Sequence, residues 1–296
     1  MKECFREKNF GDRALEIIAR ADGVCADYFK QGMKMTVRQL YYQFVSKNWI
    51  QNLPENYETL STVISEARIA GMIDWDHIED RGRVTHTQPS YKSLKTYLQQ
   101  LTESYRLNKW KAQAHYVEVM IEKQALEGVI YPTCERWGVP LTANKGYGST
   151  SMMYERGKYI QSMRDVEHKE VHVIYLGDHD PSGIDMSRDV QDRLEEYSDG
   201  PVDVMRLALN HDQVMRHDLP ENPTKLKDSR AADYIEKYGM SCWELDALPP
   251  PTLVALVENG IKSVLDLELW DKMEKMQQND QDTLQTIVEE MPEASE

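Results

Sequence analysis

From His115 to Leu209 the chain alternates short apolar runs with helix-length segments. The runs are HYVEVMI (115–121), VPLTAN (139–144), VHVIYLG (171–177) and VDVMRLAL (202–209). Between them lie EKQALEGVIYPTCERWG, SMMYERGKYIQSM and a helical stretch from Ile184 to about Tyr197. Runs this apolar are buried on both faces, and connections of helix length join parallel strands by right-handed crossovers. The region 114–210 is therefore expected to be a Rossmann-like α/β unit with a parallel sheet.

The flanks read differently. Residues 1–33 contain one amphipathic helix, with Leu15, Ile18, Ala19 and Val24 at helical spacing. Thr36 is placed to cap a second helix, VRQLYYQFVSK, which Pro54 is expected to end. A third helix is expected from about Tyr57 to Ala70, closed by Gly71. MIDWDHIEDRGR then reads as a short strand and turn. Three helices and a small hairpin over 34–85 have the outline of a winged helix. Residues 86–113 read as a basic connector with helix around Leu94–Leu107. Residues 211–296 read as a helical C-terminal region with an acidic tail, partly disordered from about Asp280.

Charge sharpens this partition. The whole chain carries −15, which argues against a general nucleic-acid coat protein. Yet residues 81–111 hold seven bases (Arg81, Arg83, Lys92, Lys95, Arg106, Lys109, Lys111) against Glu103 alone. Residues 266–296 hold ten acids against Lys272 and Lys275. A basic stretch in an acidic protein is a candidate phosphate-contacting surface, with a solvated face as the plain alternative. No apolar run reaches the roughly 18–20 residues that span a bilayer. The N-terminal residues lack the apolar core of a secretory signal. Four scattered cysteines without a CxxC pair point to a reducing, cytoplasmic setting.

In an open parallel sheet, functional groups gather at the carboxyl ends of the strands. Glu122 ends the first run; Asp178 and Asp180 end the third. Three clustered carboxylates repel one another unless a cation lies between them. Oxygen donors without a His/Cys set favour Mg²⁺, an ion that also binds phosphate oxygens. Asp178 and Asp180 have a plainer role open to them as caps of the helix that follows. Glu118 is the competing acid of the first strand, but it lies mid-strand. His179, between the aspartates, is expected to pack. Glu244 and Asp246, in WELDAL, are candidate ligands for a second metal.

IEK (121–123), GDHDPSG (177–183) and the βαβ unit between them resemble the TOPRIM domain of topoisomerases, primases and related nucleases. With NKGYGS (144–149) upstream, the pattern is most similar to the topoisomerase VI A subunit and the related protein that makes meiotic double-strand breaks. In that family a winged helix with an Arg-x-x-Tyr-Tyr-like helix precedes the TOPRIM domain, and VRQLYYQF (37–44) matches it. The resemblance covers roughly residues 34–210. Ser182 departs from it, standing where the topoisomerase subunits usually carry an aromatic. The chain also has no GxxxxGK loop or other ATPase element.

The resemblance implies a Mg²⁺-dependent, DNA-cleaving enzyme. Tyr42 would be the nucleophile that forms a covalent protein–DNA link, and Glu122, Asp178 and Asp180 would hold the metal. It implies a homodimer in which the tyrosine of one subunit meets the acids of the other, and a possible separate ATPase subunit. Double-stranded DNA would be the substrate, contacted by Arg38, Arg81, Arg83, Lys109, Lys111 and Lys145, with Lys123 as a further phosphate contact. Short stand-alone relatives of this kind belong to bacterial defence systems, phages and mobile elements. Two alternatives stand beside this reading: a TOPRIM nuclease that uses a metal-activated water and no tyrosine, and a non-enzymatic DNA-binding subunit with an inactive TOPRIM fold.

Overall fold

The computed structural model describes residues 2–79, 88 and 90–291. Its centre is a four-stranded, all-parallel sheet of β1 (His115–Ile121), β2 (Leu141–Ala143), β3 (Glu170–Leu176) and β4 (Asp203–Ala208). The strand order is β2-β1-β3-β4. β1 and β3 pair along their whole length, His115 opposite Glu170 and Ile121 opposite Leu176. Their acid-bearing ends are therefore level.

Alternation along the strands divides two cores. Val117, Val119, Ile121, Ile174 and Leu176 face one side, in a cluster with Val129 and Ile130 of α5 (Glu127–Arg136) and Leu253 and Val257 of α10 (Pro250–Lys262). Tyr116, Met120, Val171, Val173 and Tyr175 face the other. They pack on Met153 and Ile160 of α6 (Thr150–Asp165) and Met186, Val190 and Leu194 of α7 (Pro181–Ser198). The α/β, Rossmann-like expectation is met. Glu118 belongs to the second face, where Arg156 and the Tyr116 hydroxyl hold its buried carboxylate away from the strand ends.

Three helices precede the sheet: α1 (Asp12–Lys30), α2 (Val37–Ser46) and α3 (Pro54–Ile69). Ile18, Ala21, Cys25, Leu40, Phe44, Leu60 and Ile64 form their shared interior, continuous with the first sheet core. Thr36 caps α2 as expected, in a reciprocal arrangement with Gln39. Pro54 departs from expectation. It opens α3 at the first helical position, where its missing N–H costs nothing, and α2 has already ended at Ser46. Gly71 does take the left-handed conformation, with φ of 70°. In place of a strand and turn, the next segment contains a 3-10 turn at Trp75–His77 and a single bridge from Ile78 to Met35. Arg81 and Arg83 lie outside the described residues.

Beyond the sheet come α8 (His211–His217), α9 (Ala231–Tyr238) and a two-stranded pairing of β5 (Asn222–Pro223) with β6 (Ser241–Cys242). Of the acidic C-terminal stretch, expected to be partly disordered from about Asp280, residues 280–289 belong to a long helix, α11 (Leu267–Glu289), and residues 292–296 lie outside the described residues. The helix is ordered by docking against the connector, whose helix α4 spans Leu94–Ser104. Gln277 accepts the Leu107 N–H at 3.0 Å, Tyr105 donates to Asp280 at 2.8 Å, and Lys109 pairs with Glu274. The most basic and most acidic stretches of the chain thus meet each other. Among the described residues, no helix is long and apolar enough to cross a membrane.

Candidate functional site

The carboxyl ends of β1 and β3 bring Glu122 and Asp178 together. Glu122 Oε2 accepts the backbone N–H of Asp178 at 2.8 Å. Both residues are buried, at 6% and 7% exposure. Close approach here requires Gly177, since a Cβ at that position would stand 2.7 Å from Glu122 Oε2. Burial, with the Asp178 charge added, pushes the Glu122 carboxyl up to about 7. Burial also raises Asp178, against the pull of Lys123.

Asp180 does not stand beside Asp178 in the same role. The chain turns, and Asp180 Oδ1 caps α7, accepting from the Gly183 N–H at 2.6 Å and the Ser182 hydroxyl at 2.9 Å. The capping alternative thus holds for Asp180, whose charge still acts on Glu122. Gly183 is required here too: a Cβ would lie 2.2 Å from the Asp178 carbonyl oxygen. His179 packs as expected, buried against Tyr234, Tyr238 and Trp243 and hydrogen-bonded to the Tyr234 hydroxyl at 2.7 Å. Burial lowers its pKa to about 4.

Lys123 is the pivot. Its ammonium lies 2.9 Å from Asp178 Oδ1, 2.9 Å from Glu244 Oε2 and 3.0 Å from Asp246 Oδ2. Burial opposes its charge, but these three carboxylates overcome that and hold it protonated. It is a buried counter-ion and not the surface phosphate contact the sequence suggested. Glu244 and Asp246 reach it because the backbone N–H of Leu245 donates to Asp178 Oδ1 at 2.8 Å, tying that segment to the strand end.

Helix α2 packs on the same segment and adds two groups. Arg38 pairs with Glu244 at 2.6 Å and approaches Asp246 at 3.5 Å. Burial alone would raise Glu244, but Lys123 and Arg38 outweigh it and bring it down to about 2. Tyr42, 3% exposed, lies against the Glu244 carboxylate, with Arg38 over its ring at 5.9 Å. Burial, then the Glu244 charge, pushes the Tyr42 hydroxyl well above the ordinary phenol range. Within its own chain Tyr42 thus lies against Glu244.

Arg206 escaped the sequence reading. It rises from β4 and donates to the carbonyls of Gly177 at 3.1 Å, Asp178 at 2.6 Å and Gly183 at 2.9 Å. It clamps the turn that carries the acids. An arginine midway along the strand run VDVMRLAL was the available signal.

The basic candidates separate. Lys111 and Lys145 are exposed. Lys109 is not available to a phosphate: it is 8% exposed, paired with Glu274, and its ammonium lies 5.0 Å from the Trp270 ring centre. Arg38 is half-exposed but committed to Glu244. A groove beside α2 and α3, lined by Thr36, Arg38, Ser61, Arg68 and Gln124, opens next to the acid network.

The acids offer the donor type a hard divalent cation takes, but Glu122, Asp178 and Asp180 do not bring three ligand oxygens within 4.8 Å of one another. Their donors are all carboxylate oxygens, burial and the Asp178 charge raise Glu122 to about 7 against the pull of Lys123, and Asp246 Oδ1 is buried with no hydrogen-bond partner. No protein-family model and no curated protein matches the chain.

Proposed function

We propose that this protein cleaves DNA phosphodiesters in a Mg²⁺-dependent reaction, with a TOPRIM-type domain holding the ion and the three-helix unit presenting Tyr42. The observation that carries this reading is the junction of Tyr42, Glu244, Lys123 and Asp178 into one buried network at the strand ends. A magnesium ion on Glu122, Asp178 and Asp180 would neutralise charge on the bound phosphate.

The chain's own groups have separable tasks. Lys123 and Arg38 hold Glu244 ionised, so Glu244 can accept a hydrogen bond from the Tyr42 hydroxyl and orient it. Arg206 keeps Asp178 and Asp180 on a fixed turn. In transesterification the phenol oxygen attacks phosphorus, the proton leaves toward Glu244, and the deoxyribose oxygen departs. The phenol must be uncovered for this, since it is buried in the present state.

That burial favours a second reading, hydrolysis by water at the same acids with Tyr42 as a packing residue. The experiment is incubation of the protein with plasmid and Mg²⁺, followed by analysis of the DNA ends. Protein-blocked ends that vanish in Tyr42→Phe support transesterification. Free ends that persist in Tyr42→Phe and vanish in Asp178→Asn support hydrolysis. Absence of cleavage by the wild type with either Mg²⁺ or Mn²⁺ overturns both and leaves the non-enzymatic DNA-binding reading.

A further inference from the structure

The opposite edge of the sheet carries a second set of ligating groups. His115 begins β1, Glu170 begins β3, His172 is two residues along β3, and Asp203 begins β4. Register places them together. His115 is the partner of Glu170, His172 is the partner of Asp203, and residues two apart on a strand share a face. Seven residues of β1 separate this edge from Glu122, about 20 Å of strand.

We propose that His115, His172 and Glu170 form a binding site for a zinc-class divalent ion, with Asp203 orienting His172. His115 Nδ1 lies 3.0 Å from His172 Nε2 and 3.5 Å from Glu170 Oε2. One nitrogen of each imidazole and one Glu170 oxygen all lie within 4.8 Å of one another. Tetrahedral zinc, with bonds of about 2.0–2.2 Å, sets its donor atoms about 3.3–3.6 Å apart, so the 3.5 Å separation matches an edge of such a tetrahedron and the 3.0 Å one would open by about 0.3 Å.

The tautomers are consistent with this geometry. His172 Nδ1 is 2.8 Å from Asp203 Oδ2, so that nitrogen carries the proton and Nε2 presents its lone pair. Without an ion, His115 Nδ1–H donates to that lone pair. With an ion, His115 moves its proton to Nε2, and both lone pairs turn to the metal. Glu170 is 77% exposed and free to swing in as the third ligand, leaving a fourth position to water. Two imidazoles select zinc, cobalt or nickel over magnesium, so this site and the acid network divide the divalent ions between them. A bound ion would cross-link the starts of β1 and β3 and, through Asp203, steady β4.

The test is titration of the full chain with Co²⁺, and separately Zn²⁺, in excess Mg²⁺, read by visible absorption and calorimetry. The expected result is one saturable equivalent with a tetrahedral Co²⁺ spectrum and no thiolate charge-transfer band. His115→Ala and His172→Ala should each abolish it, while Glu122→Gln should retain it. Asp203→Asn should weaken it by about tenfold to a hundredfold. His115 is half-buried at the start of the interior strand β1, so circular dichroism of His115→Ala checks that loss of binding is not loss of fold. An octahedral spectrum, a thiolate band, or unchanged binding in His115→Ala overturns the proposal.

Discussion

Glu122 and Asp178 are joined side chain to backbone: the Glu122 carboxylate accepts the Asp178 N–H at 2.8 Å, at the level ends of two paired strands. One oxygen of Glu122 is thereby fixed before any ligand arrives, and its carboxylate cannot retreat from the Asp178 charge.

This fixes a pH dependence. The folded pKa of Glu122, about 7, lies above its unfolded value, so the native state binds more protons between the two. Stability is then lost as pH rises from about 5 to about 8. Glu122→Gln keeps the acceptor and removes the charge. It should unfold at a higher temperature than wild type at about pH 8 in EDTA, with the gain vanishing at about pH 5. Mg²⁺ should narrow the difference by stabilising wild type alone. Thermal scans across pH read this directly; a Glu122→Gln variant less stable at the alkaline end would contradict it.

Lys123 neutralises three acids at once. Lys123→Met leaves Asp178, Glu244 and Asp246 without their shared cation and should cost about 3–5 kcal/mol in urea unfolding. Millimolar Mg²⁺ should restore part of that loss, since an ion can take the vacated position. A loss unaffected by Mg²⁺ would mean that the cluster does not bind it.

Tyr41 and Tyr42 can be distinguished by their hydroxyls. Tyr41 bonds Asn52 Oδ1 at 3.0 Å and the Leu53 carbonyl at 3.1 Å, holding the turn into α3. Tyr41→Phe should therefore lower stability by about 1 kcal/mol and leave cleavage intact. Tyr42→Phe should lower stability by about 1.5–3 kcal/mol through the lost contact with Glu244 and, under transesterification, abolish covalent DNA attachment. A Tyr42→Phe protein that still carries DNA on denaturing gels would assign the link elsewhere.

The basic residues divide by partner. Lys111→Glu and Lys145→Glu should weaken DNA binding and flatten its salt dependence by about one counter-ion each. Lys109→Glu should act on stability, because it sets two acids against each other beneath α11. Equal effects of all three on DNA affinity, with no change in melting temperature, would reverse this division.

The strands and the helices around the sheet were legible because burial on two faces leaves an unmistakable apolar run. The meeting of Glu122 and Asp178 at the ends of two strands was legible from their positions after apolar runs. Asp180 was legible both as an acid and as a candidate cap, and the turn at Pro181, which removes the extended geometry that would align it with Asp178, decides for the cap. Lys109 and the α11 tail were misread for one reason. Local charge reports a solvated or phosphate-facing surface equally well, and only the fold shows that the basic and acidic stretches meet. Lys123 lies 121 residues from Glu244 and 123 from Asp246, and periodicity carries no information about such partners.

The pairing of Arg38 with Glu244 closes a loop of 206 residues. Ordering so long a loop is entropically costly, and contacts of such separation form late. During synthesis α2 and the strand end carrying Lys123 emerge well before the segment that joins them. Until residues 244–246 leave the ribosome, Lys123 has only Asp178, and Tyr42 has no acid beside it. The contacts that set Glu244 beside Tyr42 are thus among the last the chain can make, and α10, whose Leu253 and Val257 cover one face of the sheet, must still follow them.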